Sequence, residues 1–224
     1  MKKHLLAIAS VAMIAGAISF SSCKKDDTTP PTITVSGGNS ARTQSLPAIA
    51  GQGTWTNPSA TANDDKDGDI SSKITVSGTV DPNTEGTYTL TYSVSDAAGN
   101  TATQSITVNI VNDADFLNGA YGAHDTCQVT APFNYNPTVN VSTTVNNALV
   151  INNFGAFGTG ININGTLSGS NITIPSSQTL GGSSSIVSAS GAIISATAPV
   201  KFSVNYTWTD GTNTEVCISM YTHN

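Results

Sequence analysis

The sequence predicts an all-β protein built from two antiparallel domains, and three observations carry that expectation. After residue 23, β-branched and aromatic residues recur at every second position, the period of a half-buried strand, and no apolar stripe of helical period interrupts them. Only 10% of residues are charged while Thr, Ser, Asn and Gly are abundant, a composition typical of exported β proteins rich in turns. At Asn112–Asp115 the composition shifts: residues 113–224 hold one base, Lys201, and the acids Asp113, Asp115, Asp125, Asp210 and Glu215. The chain therefore divides into a leader over 1–22, a tether over 23–31, a first domain over 32–112 and a second over 113–224.

The leader opens with Lys2, Lys3 and His4 and continues as an apolar run from Leu5 to Ile18. That layout is a signal peptide for the Sec pathway, because a permanent span needs roughly 20 apolar residues. Phe20-Ser21-Ser22-Cys23 then resembles the processing site of bacterial lipoproteins, with Phe20 where the family has Leu. The resemblance implies cleavage before Cys23, a diacylglycerol on its thiol and a fatty acyl chain such as palmitate on its freed amine. The protein would then be anchored at the outer membrane or cell surface, with the membrane as its first partner. Lys25-Asp26-Asp27 resembles the acidic surface-export signals of Bacteroidetes lipoproteins, and Pro30-Pro31 stiffens the tether.

Cleavage removes two of the eight basic residues and none of the 14 acidic ones, so the mature chain carries −8. Nucleic acid is excluded as a partner on that charge. With Cys23 assigned to lipid, Cys127 and Cys217 remain. In an exported chain such a pair reads as a disulfide, since a metal site would need further ligands at short spacing.

In the first domain, Ile33 and Val35, Ala60 and Ala62, and Ile74 and Val76 mark short strands. The clearest pattern follows them. Tyr88, Leu90, Tyr92 and Val94 share one face, and after the turn Asp96-Ala97-Ala98-Gly99-Asn100 the residues Ile106, Val108 and Ile110 resume it, which predicts a half-buried hairpin. Asp67-Gly68-Asp69-Ile70-Ser71, Gly86-Thr87-Tyr88 and Tyr92 to Asn100 together resemble the bacterial surface immunoglobulin-like family. The resemblance implies a β-sandwich without a disulfide, used chiefly as a spacer and adhesion module.

The acidic loop Asn63 to Asp69 partly matches an EF-hand. Asn63, Asp65 and Asp67 take the first, third and fifth positions and Gly68 the sixth, but the twelfth is Ile74 instead of a bidentate Glu. Two readings stay open: Asp65, Asp67 and Asp69 hold Ca²⁺ in another geometry, or they turn the chain and cap exposed amides.

In the second domain, alternation at Val139 and Val141, Leu149 and Ile151, Ile161 and Ile163, Ile172 and Ile174, Phe202 to Trp208, and Val216 to Met220 predicts a meander of eight to ten strands. Its closure as a barrel or a sandwich stays open. For the last hairpin, apolar matching favours a five-residue loop, Thr209 to Asn213, which pairs Tyr206 with Val216, Val204 with Ile218 and Phe202 with Met220. That register turns Cys217 to the polar face. Gly119-Ala120-Tyr121 and Asp125-Thr126-Cys127, with Cys217 near the C-terminus, resemble the second domains of Bacteroidetes surface lipoproteins. The implied fold is a lipocalin-like barrel or a related β domain.

Tyr121, Phe133, Tyr135, Phe154 and Phe157 fall at loops and strand ends, where rings either stack on sugars or plug a barrel. No Gly-x-Ser-x-Gly elbow, His-Glu-x-x-His or phosphate-binding Gly-Lys loop is present. His124 and Asp125 are adjacent, and Asp125 with Glu215 would make a glycosidase pair only at roughly 5 to 9.5 Å. The expectation is a non-catalytic surface lipoprotein that binds a ligand, a glycan or a surface protein. The alternative is a structural or adhesive surface protein without a small-molecule ligand.

Overall fold

Alternation along the strands sorts the apolar side chains into separate cores: one in the second domain, and in the first a main cluster with a smaller one of Ala62, Ile70 and Val94. The computed structural model describes residues 26–158 and 160–224, so the leader and Cys23 lie outside the described residues. The first domain contains β1 (Thr32–Val35), β2 (Arg42–Ser45), β3 (Ala60–Asp64), β4 (Gly68–Asp69), β5 (Thr75–Ser77), β6 (Gly86–Ser95) and β7 (Thr101–Val111). One sheet has the order β1-β3-β4, and the other β2-β7-β6-β5. The β6–β7 hairpin forms as its alternation predicts, with Leu90 opposite Ile106 and Tyr88 opposite Val108. Leu90, Tyr92, Ile106, Val108 and Ile110 are buried against Val35, Leu46 and Val80. Tyr92, at the core, satisfies its hydroxyl by donating to Pro58 O at 2.7 Å. One pairing departs from an all-antiparallel sandwich: β2 runs parallel to β7, from Arg42 opposite Val108 to Ser45 opposite Val111.

Asn112 joins the two domains, and its side chain is fully used. Its Nδ2 donates to Ser142 O at 2.7 Å and Val145 O at 3.1 Å, while Oδ1 accepts from Ala114 N at 2.9 Å and Asn147 N at 2.8 Å. The same barrel loop meets the sandwich again, because Glu85 N donates to Thr143 O and Asn146 N to Pro47 O. Asp113 completes the seam, accepting from Ser45 Oγ and Asn146 Nδ2, each at 2.8 Å. These bonds dock the two domains.

The second domain contains β8 (Gly119–Cys127), β9 (Phe133–Tyr135), β10 (Thr138–Val141), β11 (Ala148–Asn152), β12 (Asn162–Ser168), β13 (Asn171–Ile174), β14 (Thr179–Gly181), β15 (Ser184–Ser195), β16 (Lys201–Thr209) and β17 (Thr214–His223). β8 pairs with β17 on one side and with β9 and β10 on the other, so the meander closes into a barrel of eight antiparallel strands. Asn136-Pro137 separates β9 from β10, since Pro137 has no N–H to give the ladder. The interior is filled by Tyr121, Tyr221, Phe202, Val204, Ile151, Ile163 and Ile172. Outward positions of β12 are Asn162, Asn164, Thr166 and Ser168, the reverse of a lipid-facing strand.

The last hairpin corrects the sequence register by one residue. Its loop has four residues, Asp210 to Asn213, and sets Thr209 opposite Thr214, Tyr206 opposite Cys217, Val204 opposite Ser219 and Phe202 opposite Tyr221. Cys217, Ser219 and Tyr221 therefore point into the barrel, and Val216, Ile218 and Met220 point out, where they are exposed. A one-residue shift exchanges the two faces of a strand. The apolar match across two strands lost to the third: β8 sets Asp125 opposite Ser219 and Cys127 opposite Cys217.

Cys127 and Cys217 are bonded, with S–S at 2.02 Å and a sequence separation of 90. The bond fastens the strand pair that closes the barrel. A loop of that length removes roughly 4 to 5 kcal/mol of unfolded-chain freedom in the entropy model. Calorimetry of Cys127→Ser/Cys217→Ser should show the barrel transition lowered by about that much and the sandwich transition in place; equal lowering of both would contradict this assignment.

Candidate functional site

Near Gly119, β8 adjoins the junction; its other end, Cys127, lies about 26 Å away along the strand. At that far end the barrel opens into a cavity of ≈ 390 Å³, lined by Cys127, Thr130, Phe133, Asn134, Gly155, Phe157, Tyr206, Trp208 and Glu215. The volume lies at the small end of the range for small-molecule pockets.

The aromatic wall is assembled from two elements. Trp208 ends the inward row of β16, and Phe157 follows the short 3₁₀ turn Phe154–Ala156 that comes after β11. Their rings meet edge to face at 5.2 Å. Gly155 makes this placement possible: its φ is +59°, and a Cβ there would lie 2.6 Å from Phe157 Cε2 and 3.0 Å from the Tyr206 hydroxyl. Any larger residue would push Phe157 off its seat.

The polar wall is Glu215, which the inward register of β17 brings to the rim. Its Oε1 accepts from Val129 N at 2.8 Å and Thr130 N at 2.5 Å, and its Oε2 from Thr130 Oγ1 at 2.8 Å. Burial works to raise its pKa, but these bonds outweigh burial and hold the carboxyl below the usual range. Asn134 adds a carboxamide whose Oδ1 lies 2.7 Å from His124 Nδ1.

Beneath the cavity lies a buried polar network centred on Asp125. Its Oδ2 accepts from the Tyr206 hydroxyl at 2.5 Å, and Oδ1 from Ser219 Oγ and, at 3.2 Å, from the Tyr135 hydroxyl. Tyr221 adds its hydroxyl at 2.9 Å from that of Tyr135. Burial, followed by the charge of Asp125, pushes the phenols of Tyr135 and Tyr206 far up. For Tyr221, burial is again the first cause and Tyr135 the second. All three keep their protons across the physiological range, so Asp125 has the donors that a buried carboxylate requires.

Of the aromatic candidates, Phe133 and Phe157 line the cavity. Tyr121, Tyr135 and Phe154 do not: each is buried in the barrel core. Tyr121 donates to Leu117 O at 2.9 Å, and burial pushes its phenol up to about 12. Glu215 is hidden from the sequence reading by the one-residue shift, which exchanges the inward and outward rows of β17, whereas Trp208 continues the apolar row of β16 and nothing in that alternation separates a rim position from a core one. His124 and Asp125, neighbours on β8, project to opposite faces, as strand geometry requires. The sulfurs of Cys127 and Cys217 are in the disulfide, and no thiolate remains there to bind metal.

The acidic loop is also rearranged. Asp65 pairs with Lys66 at 2.9 Å on the surface, Asp67 Oδ2 accepts from Ala97 N at 2.6 Å, and Asp69 Oδ1 accepts from Ser71 N at 2.9 Å and Ser71 Oγ at 2.5 Å. The Ser71 hydroxyl and then its amide hold the Asp69 carboxyl below its ordinary value. The β3–β4 turn points the three acids at different partners, so they make no common site.

Comparison with known proteins bears on the first domain. Residues 44–110 match the model of the bacterial surface protein Ig-like domain family. The match runs from within β2 to within β7 and takes in less than a third of the chain. A solved lipoprotein of Bacteroides thetaiotaomicron is 19% identical over 85% of this chain and 98% of its own, with a TM-score of 0.36. A second structure, the CBM51-2 module in complex with GlcNAc and INT domains of ZmpB from Clostridium perfringens, is 14% identical over 86% of this chain and 44% of its own, with a TM-score of 0.26. No curated protein matches the chain.

Glu215 should give the barrel a specific pH response. A carboxyl whose folded pKa lies below its unfolded one stabilises the fold above the unfolded value, near 4.3, and that stability is lost as pH falls through the folded value. Barrel melting should therefore be flat from about pH 7 to 5 and fall below about pH 4. Glu215→Gln should flatten part of that acid limb, and a variant with the wild-type limb would remove Glu215 from the account.

Proposed function

We propose that this protein is a lipid-anchored bacterial surface protein whose barrel binds a glycan at its open end, with the Ig-like domain as spacer. The observation that carries the reading is the cavity itself. Phe133, Phe157 and Trp208 offer ring faces and edges for the C–H side of a sugar, and Asn134 and Thr130 offer polar groups for its hydroxyls. We read the site as binding without catalysis. Asp125 already takes three hydroxyl donors and Glu215 two amides and a hydroxyl, so each carboxylate is held in place and occupied. The Ig-like match supports a place at the bacterial surface, and the leader with Cys23 supports the anchor.

A glycan array probed with the purified protein, followed by titration of the best sugar, tests the binding. Trp208→Ala should weaken that sugar at least about tenfold, a loss on the order of 1.4 kcal/mol, while leaving the barrel folded. An array without saturable hits would return the protein to the structural and adhesive reading. The anchor is tested separately. Cys23→Ala should abolish labelling by palmitate and partition into detergent, and a mutant that still carries label would exclude lipid at this residue.

A further inference from the structure

Three acidic side chains that the sequence keeps far apart meet at the tether end of the first domain. Asp27 lies in the tether, Asp64 ends β3, and Asp96 begins the turn between β6 and β7. One oxygen from each falls within 4.8 Å of the others. Asp64 is 3% exposed. Its Oδ2 accepts from Lys66 N at 2.8 Å and Asp67 N at 3.0 Å, whereas Oδ1 accepts nothing. Among the described residues, Asp64 Oδ1 is the one buried side-chain polar atom without a hydrogen-bond partner. An orphaned carboxylate oxygen costs free energy, and two further carboxylates beside it add repulsion. Lys66 relieves this only from a distance: its ammonium is paired with Asp65 on the surface, and Asp27 and Asp64 attract it more weakly.

The surroundings hold the other two acids in position. Burial works to raise the Asp96 carboxyl, but bonds from the Asn100 side chain and amide, then from the amides of Gly99 and Ala98, hold it below its ordinary value. Asn100 Nδ2 reaches Asp96 Oδ2 at 2.7 Å and also Asp27 O at 3.2 Å, tying the tether to the turn. Asp67, from the opposite loop, grips Ala97 N. Three segments are thus fixed around a group of oxygens that attracts positive charge.

We propose that Asp27, Asp64 and Asp96 form a Ca²⁺ site, with Asp64 Oδ1 as its innermost protein ligand. Ca²⁺ suits hard carboxylate oxygens in an irregular arrangement and fills its six to eight positions with water or carbonyls, whereas Mg²⁺ demands a near-ideal octahedron. Asp65, Asp67 and Asp69 are not its ligands. The cation closes the first domain onto the tether, four residues after Cys23.

Titrating CaCl₂ calorimetrically into the EDTA-stripped protein should reveal one site with Kd of about 0.1 to 1 mM, the range of extracellular modules. About 10 mM Ca²⁺ should raise the first-domain Tm by at least about 4 °C, and equal Mg²⁺ should not. Asp27→Ala touches no strand, so it should melt as wild type in EDTA yet bind Ca²⁺ at least about tenfold more weakly. Asp64→Asn should lose the Tm shift, and Asp65→Asn should keep it. Absence of saturable heat, or wild-type binding by Asp27→Ala or Asp64→Asn, overturns the site. So does loss of binding in Asp65→Asn.

Discussion

Everything in the second domain depends on β8 being paired on both sides. With β17 on one edge and β9 and β10 on the other, the long strands close into a ring that leaves only the short β9 and β14 paired on one side, and each strand is committed to one inward and one outward row. That commitment places Asp125 and Cys127 on the same inward row of β8, opposite Ser219 and Cys217. The polar network, the disulfide and the cavity rim are successive levels of one strand pair.

A barrel of eight strands is just wide enough for its side chains to fill it, so a carboxylate inside must be satisfied by its neighbours. Asp125 is satisfied by three hydroxyls from β9, β16 and β17, which makes the network a clasp between strands as well as a buried charge. Such a clasp tolerates few alternative registers, because a shift of one residue would send Ser219 outward and bring Ile218 in. The exposed row of Val216, Ile218 and Met220 is the counterpart of that choice.

Apart from the Cys127–Cys217 bond, which follows from cysteine count and not from distance in the chain, the parts of this structure that were legible in the sequence are those whose partners are near in the chain. The β6–β7 hairpin could be read because Asp96 to Asn100 fixes its turn and both strands bury one clean apolar face. β16 and β17 are equally close in sequence, but their register is set by β8, some 90 residues earlier, and by the polar residues Ser219 and Glu215 that a rule of apolar matching sends outward. The cavity residue Glu215 was lost with that register. Tyr121, Tyr135 and Phe154 show a different limit, since position at a strand end does not separate a ring in the mouth of a barrel from one beneath it. The acidic loop shows a third: the EF-hand spacing drew attention to alternate residues, whereas β3 turns Asp64 inward and leaves its neighbours outside.

The parallel pairing of β2 with β7 sets how the first domain answers to force. A pull from the N-terminal side meets β1 first, and once it passes β1 it loads the start of β2 against the end of β7, in opposite directions along two strands that run the same way. That geometry is shear: the bonds from Arg42 and Val108 to Ser45 and Val111 bear the load together instead of opening one after another like a zip. Because the Asn112 junction passes the pull straight into β7, the sandwich yields as a unit. A domain so connected resists a pull most firmly along the line of β2 and β7, and least across it.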